Sequence, residues 1–329
     1  MRRAREQRVR VSQARWVGQA AEVVLAALLA VGLFASGGLV PILGVGLSLL
    51  CPLPLVVLGL RHGPLHLGGA LMLVALTMAG PLSPWQSLGF ILEFGLPAIL
   101  LAEGLRRGLR PELLVTGVAA ALTLGGVALL ALHEGEWTHP LSAVGRHVET
   151  LVSDLEALTA RIAAPGDGST SLAVPVPKLR TFLLVAFPGL FFAGSVLTAA
   201  GYLLLLRGMT RRWPAQLGGL APGPYKWELP EPLVWAFIGS GLLYLTGLPW
   251  LMPVGLNGLI LLLVLYFLQG LSIAAFLYKR FQLPRFLVTL SVLLLVFQPF
   301  LALVVAGLGL FDVWFAFRRL SLPKTPRGT

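Results

Sequence analysis

The chain of 329 residues is poor in charge and holds a single cysteine. Charged side chains make up 12% of it, hydrophobic side chains make up 57%, and the mean hydropathy is +0.85. Because about a quarter of the residues of a soluble domain are charged, this composition excludes a soluble globular protein. The one cysteine, Cys51, lies in an apolar segment, so a disulfide framework and a paired-cysteine metal or redox site are excluded as well.

The sequence also lacks the short motifs of the common catalytic classes. It has no nucleotide-binding P-loop, no His-Glu-x-x-His zinc motif and no Gly-x-Ser-x-Gly nucleophile motif. An intramembrane aspartyl or serine enzyme needs a paired catalytic group, and no such pair is visible. We therefore expect neither an enzyme nor a cofactor or metal site.

What the chain has is a series of long apolar segments. Most of them approach the ~20 residues that cross a ~30 Å hydrocarbon core as a helix. Since lipid satisfies no backbone polar groups, each must be helical. The sequence predicts an all-α polytopic membrane bundle with about eight to ten helical passes. The segments lie at 17–36, 38–60, 63–80, 86–102, 113–132, 181–206, 232–249, 252–278 and 284–315.

Basic residues predict the orientation of these segments. Lys and Arg outnumber Asp and Glu by 25 to 14, which gives a net charge of +11 and favours an anionic lipid surface over nucleic acid as the partner. Loops rich in Lys and Arg stay cytoplasmic, so the N-terminus is expected to be cytoplasmic. The predicted parts are a basic tail (1–16), a first helix group (17–132), an external loop (133–180), a second helix group (181–317) and a basic cytoplasmic tail (318–329).

Nine simple crossings would place the C-terminal tail outside, against the charge rule. One segment must therefore deviate from a single crossing. Gln298-Pro299 breaks the last segment near its middle, which favours a hairpin or re-entrant pair within 284–315. The alternative is that the Pro-rich segment 38–60 dips into the membrane and returns.

The external loop contains an amphipathic helix at 140–163. Its apolar residues recur at steps of three and four, which is the spacing of one helix face. The helix lies in the outer interface or over its own bundle, or it forms a dimer seam or a lid. The residues of this face are Leu141, Val144, Val148, Leu151, Leu155, Leu158 and Ile162.

Ionisable groups inside a span are costly, so each of them is a candidate for function. Glu93 is the foremost, because Gly95 and Pro97 should loosen its helix and free carbonyls for a ligand. Alternatively, Glu93 is a protonated or Arg-paired acid that fixes helix packing. Glu22 lies close enough to the cytoplasmic end to reach the headgroups, and Asp312 is expected to pair with the arginines that follow its helix.

Arg61 and His62 precede Gly63-Pro64 at a short cytoplasmic turn. They are either a positive-inside anchor or a corner that grips a carboxylate or phosphate. Asn257 and Gln269 are neutral polar residues within spans, where they either join helices by hydrogen bonds or line a cavity. The candidate ligand-binding residues are thus Glu93, Arg61, His62, Asn257 and Gln269.

An ordered set of segments resembles the YybS-like bacterial membrane proteins of the DUF2232 family. The segments are Leu53–Gly63, Trp227–Trp235, Asn257, Leu265–Ile273 and Gly309–Arg319. The resemblance implies a bacterial inner-membrane protein with several spans and an external loop, and no established activity. The stretch Pro52–Gly69 is also distantly similar to the S-components of energy-coupling-factor transporters, which dock onto a separate ATPase coupling module.

These features predict a membrane protein that binds and moves a small solute in an S-component-like manner. The alternative is a non-transporting scaffold that organises cell-envelope partners through its outer helix and basic loops.

Overall fold

The computed structural model describes residues 2–39, 46–79, 84–133, 140–162, 176–212, 227 and 229–315. These ranges are mainly helical and contain no strand, which confirms the predicted all-α class. The N-terminal helices are α1 (Arg2–Leu39), α2 (Pro52–His62), α3 (Pro64–Ala79), α4 (Pro84–Phe90), the π-helical segment π1 (Ile91–Gly95), α5 (Leu96–Arg106) and α6 (Pro111–His133). They are followed by α7 (Pro140–Ile162), α8 (Val176–Arg212), α9 (Leu233–Leu245), α10 (Met252–Arg280), α11 (Arg285–Phe297) and α12 (Pro299–Phe315).

Within the described ranges, five helical stretches are long and apolar enough to cross a membrane, or six if α11 and α12 together form one span. The chain is therefore a multi-pass membrane protein. The five stretches are Val17–Gly37, Gln86–Arg106, Pro111–Leu132, Arg180–Thr210 and Met252–Arg280.

Among the described residues, full-length spans are fewer than the eight to ten passes predicted, because three apolar segments form helices of 10–17 residues. These are Gly46–His62, Pro64–Met78 and Leu233–Leu245. Gly63 takes a left-handed φ of 92° and separates the first two helices, while Gly247, with a φ of 65°, follows the end of the third. Glycine adopts such angles without strain, so a turn forms before the helix reaches a full crossing.

The predicted break at Gln298-Pro299 is confirmed. Gln298 is extended, with φ −120° and ψ 90°, and Pro299 opens the next helix. The two helices bend by 109° at this point. Proline has no N–H to continue the helix, so the chain turns where the sequence indicated.

Two compact units are formed by interleaved parts of the chain. The first consists of Met1–Thr150 and Gly194–Gly223, and the second of Leu151–Ala193 and Pro224–Thr329. In the first unit α1, α2 and α3 pack on one another, and α5 packs on α2 and α6. A Cβ at Gly59 would lie 2.9 Å from Cβ of Ala102, so α2 and α5 approach closely only because residue 59 is glycine.

In the second unit α10 packs on both α9 and α12. The crossing of α10 with α12 brings backbone against backbone. A Cβ on Gly270 would collide with the carbonyl of Val305, and a Cβ on Gly309 with the carbonyl of Tyr266. Small residues permit such contacts between membrane helices, where van der Waals packing supplies much of the attraction.

The amphipathic helix predicted at 140–163 is present as α7, and the structure describes three side chains of its predicted apolar face, those of Val144, Val148 and Leu151. Leu151 is 48% exposed, whereas Val144, Val148 and Val152 are buried. The buried residues recur every fourth position, which places them along one side of the helix. The side chains of Leu141, Leu155, Leu158 and Ile162 lie outside the described residues.

Candidate functional site

Glu93 lies in π1, a single π-helical turn inside the span Gln86–Arg106. The N–H of Leu96 donates to the carbonyl of Ile91, five residues earlier instead of four. Pro97 has no N–H for the carbonyl of Glu93, four residues before it, which disfavours a regular α-helix here. π-Helical turns are rare and occur frequently at functional sites. The sequence indicated a loosened helix at Gly95 and Pro97, and the structure shows which form it takes.

The side chains around Glu93 differ sharply in exposure. Phe90 and Phe94 are buried, and both make edge-to-face or tilted contacts with Phe34 of α1 or with each other. Glu93, between them in the sequence, is exposed. Within the part of the chain that the structure describes, it forms no hydrogen bond and no salt bridge.

Two buried protic side chains lie within electrostatic range of the Glu93 carboxyl, namely Cys51 and Tyr202. Cys51 is fully buried, and its thiol donates to the carbonyl of Ala30 over 3.1 Å. Tyr202, on α8 in the same unit, is only 4% exposed. Neither group can carry a positive charge, so neither supplies a counter-ion for a carboxylate.

The surroundings of Glu93 bear on one form of its predicted packing role, the Arg-paired acid. An Arg-paired packing acid requires a cationic partner, and no described side chain provides one. A carboxyl within a span costs about 2.5–3.5 kcal/mol on insertion scales unless it is compensated. An accessible acid of this kind can accept hydrogen bonds or a positive charge from a bound molecule.

A second polar cluster lies where α2 turns into α3. The Glu22 carboxylate lies 2.8 Å from Nη1 of Arg61 and 2.7 Å from Nε2 of His62. Glu22 therefore connects α1 to the α2–α3 turn. The sequence indicated only that Glu22 lies close enough to the cytoplasmic end to reach the headgroups. In the structure, the predicted anion-binding corner already holds an anionic side chain.

Two further side chains border this turn. Nδ1 of His66 lies 2.9 Å from the carbonyl oxygen of His62. The guanidinium of Arg106, at the end of α5, lies 2.9 Å from the Cβ position of Gly63. Arg106 follows Glu93 by thirteen residues, or about 20 Å of helix. Glu93 and the Arg61–His62 turn are therefore two separate places.

Asn257, in the second unit, makes three hydrogen bonds to backbone groups. Its Nδ2 donates to the carbonyls of Val185, at 2.8 Å, and Pro253, at 2.7 Å. Its Oδ1 accepts the N–H of Gly189. Of the two roles predicted for Asn257, joining helices is the one that these contacts perform.

Gln269 is likewise engaged with its own unit and is only 3% exposed. Its Oε1 accepts the N–H of Leu229 over 3.1 Å, and its Nε2 donates to Oδ2 of Asp312 over 3.2 Å. The arginines expected to pair with Asp312 lie outside the described residues. Gln269 thus connects α10 to α12 and to the segment that precedes α9.

Among the described residues, no three His, Cys, Asp or Glu side chains lie close enough together to hold a metal ion. Sequence reasoning did not connect Cys51 or Tyr202 with Glu93. A hydroxyl or thiol within an apolar segment was the only signal, and it does not reveal which distant helix lies beside it.

The profile of one protein family, described as "Predicted membrane protein (DUF2232)", matches residues 27–313. The chain belongs to the DUF2232 family. The matched range includes π1, the Arg61–His62 turn, Asn257 and Gln269. No curated protein and no solved structure matches the chain.

Proposed function

We propose that this member of the DUF2232 family binds a small solute at Glu93 and moves it across the membrane. The observation that carries the proposal is the state of Glu93: an accessible carboxyl in a π-helical turn of a span, without an ionic or hydrogen-bond partner among the described residues. Helices with such irregular turns form ligand sites in transporters, because the turn frees backbone groups for the ligand.

The accessible face of Glu93 requires a polar partner, because hydrocarbon does not solvate a carboxyl group. Cys51 and Tyr202 lie within electrostatic range, and Phe34, Phe90 and Phe94 form an aromatic cluster between α1 and the helical stretch that carries Glu93, in which the Phe34 ring is partly exposed. A few polar groups in a largely apolar surround are typical of a small-molecule site.

Movement of the solute against a gradient would require an energy source. With no P-loop in the sequence, we propose an S-component-like arrangement in which a separate ATPase module couples to this protein. The protein would reside in the bacterial inner membrane with its N-terminus in the cytoplasm, as its basic N-terminal residues favour. It would act as a carrier and not as an enzyme.

The test is copurification from native membranes in mild detergent, followed by mass spectrometry of the retained proteins and small molecules. Wild type is compared with Glu93→Gln and with Glu103→Gln. Glu103 is the matched control, because it is an acid of the same helical stretch that pairs with Arg107 at 2.7 Å on the surface.

We expect one small molecule to be retained in stoichiometric amount by wild type and Glu103→Gln and to be lost from Glu93→Gln. Equal retention by all three proteins, or retention by none, would overturn the assignment of Glu93.

The exposed flank of α7 favours a second candidate function, that of a scaffold for cell-envelope proteins. Leu151 is 48% exposed beside the buried row of Val144, Val148 and Val152. An amphipathic helix can lay an apolar face into a groove of a partner protein, and Leu151 extends the apolar face of α7 to the surface. Under this hypothesis Leu151→Asp abolishes capture of envelope partners, while Ala157→Asp, at an exposed position on another side of α7, does not.

A further inference from the structure

We infer that the solute held at Glu93 is an organic cation with an ammonium group, an inference that rests on the binding function proposed above. The observations behind it are an accessible carboxyl without an ion pair among the described residues, and the partly exposed ring of Phe34, which packs on Phe90 and Phe94 of the helical stretch that carries this acid.

Charge complementarity determines the sign of the ligand. Two ionisable groups in electrostatic range of Glu93 are the Cys51 thiol and the Tyr202 phenol, which are neutral or negative but never positive. The nearest basic residue along the same helical stretch is Arg106, about 20 Å away. A carboxylate or phosphate at Glu93 would meet like charge without compensation, whereas a cation would neutralise the acid and lower the cost of placing it in the membrane.

The number of oxygen ligands distinguishes an organic cation from a metal ion. Calcium takes six to eight oxygen ligands and magnesium requires octahedral coordination, whereas Glu93 is the only carboxylate at this place in the described chain. An ammonium group needs fewer oxygens, because its N–H donors bond one carboxylate and its charge is also attracted by aromatic faces.

Phe34 and two phenylalanines of the helical stretch that carries Glu93 lie together, and the face of an aromatic ring attracts an ammonium group. Phe34 is partly exposed and packs edge-to-face with Phe90 at a centroid distance of 5.4 Å. The ring centroid of Phe94 lies 5.8 Å from that of Phe34. Phe90, Phe94 and Tyr202 are buried, so Phe34 is the ring of this set whose face a bound amine could contact while its charged end meets Glu93.

The decisive experiment identifies the molecule whose retention depends on Glu93. A retained molecule with a protonated amine or quaternary nitrogen supports the inference, and we expect Glu93→Gln to reduce its occupancy by about tenfold or more. A retained, Glu93-dependent molecule that is neutral or anionic overturns the inference but leaves the proposed binding function intact. If no molecule depends on Glu93, the proposed function itself fails.

A displacement experiment on the wild-type protein tests the same inference without a substitution, so its result does not depend on whether a variant folds. The protein carrying its retained molecule is washed with ethylammonium chloride, or with sodium chloride at equal ionic strength. We expect ethylammonium to release about tenfold more of the molecule, because it competes for the carboxylate in a way that screening alone does not. Equal release by the two salts would contradict the ammonium assignment.

Discussion

The Oδ1 atom of Asn257 accepts the backbone N–H of Gly189, which lies 68 positions earlier in the chain. The same amide donates to the carbonyl of Val185, which would be the α-helical partner of Gly189 four residues before it. Asn257 thus bonds to the backbone of α8 on both sides of Pro188, which lies in the interior of that helix. Its side chain satisfies backbone groups that a membrane would otherwise leave without partners.

Replacing Asn257 with leucine should destabilise the protein. The change removes three hydrogen bonds between the Asn257 side chain and backbone groups, so we expect a loss of about 1–3 kcal/mol. The measurement is the thermal midpoint of the detergent-solubilised protein. The molecule retained at Glu93 should remain bound below that midpoint, because Asn257 belongs to the other compact unit.

Glycine substitutions in α8 provide a control for this contact. A Cβ at Gly189 would lie 2.6 Å from Oδ1 of Asn257, whereas a Cβ at Gly194 would meet nothing within 4 Å. Gly189→Ala should therefore lower the midpoint, and Gly194→Ala should leave it unchanged or raise it. Equal effects of the two substitutions would contradict the contact.

The crossing of α10 and α12 should be intolerant of a single methyl group. A Cβ on Gly309 would collide with the Tyr266 carbonyl, whereas a Cβ on Gly307, two positions away, would enter open space. We expect Gly309→Ala to cost about 1–3 kcal/mol or more and Gly307→Ala to be close to neutral. Thermal unfolding of the two variants side by side measures the difference, and similar midpoints would exclude the close crossing.

The ion pairs of Glu22 should appear as coupling energy. A double-mutant cycle with Glu22→Gln and Arg61→Ala should give about 0.5–1 kcal/mol, because both side chains are more than one-third exposed and water screens their attraction. The coupling should decrease with added salt. Glu22→Gln combined with Arg107→Ala is the control pair and should be additive, since Arg107 bonds to Glu103.

The bend between α11 and α12 predicts that both of their outer ends lie on the same side of the membrane. The substitution Gln282→Cys, at an exposed position just before α11, and a tag after Thr329 test this arrangement. Membrane-impermeant maleimide should reach the introduced thiol from the side that carries the tag, and the buried Cys51 should not react. Opposite accessibility would indicate that α11 and α12 are one broken span.

Local chemistry explains which parts of the fold were predictable from the sequence. The apolar segments, the helix at 140–163 and the break at Gln298-Pro299 follow from hydropathy, periodicity and the missing proline N–H, and all three are present in the structure. The shortness of α2, α3 and α9 was not predicted. It depends on backbone angles at Gly63 and Gly247 that the apolar pattern does not encode.

The partners of the polar residues required the tertiary structure. Glu22 and His62 are 40 positions apart, and Gln269 and Asp312 are 43 positions apart, so no local spacing reveals that they bond. Arg61, His62, Asn257 and Gln269 were candidates for ligand binding from the sequence, and the structure gives each of them a partner within its own unit. Glu93 differs from them because the described residues leave its carboxyl without one.

The most direct test of solute binding at Glu93 is an experimental density map of the protein purified in native lipid. We expect density for a small non-lipid molecule within hydrogen-bond distance of the Glu93 carboxyl, beside Tyr202 and the aromatic cluster. A Glu93 carboxyl bonded to another protein chain, or enclosed by its own helices with no additional density, would contradict the proposed site.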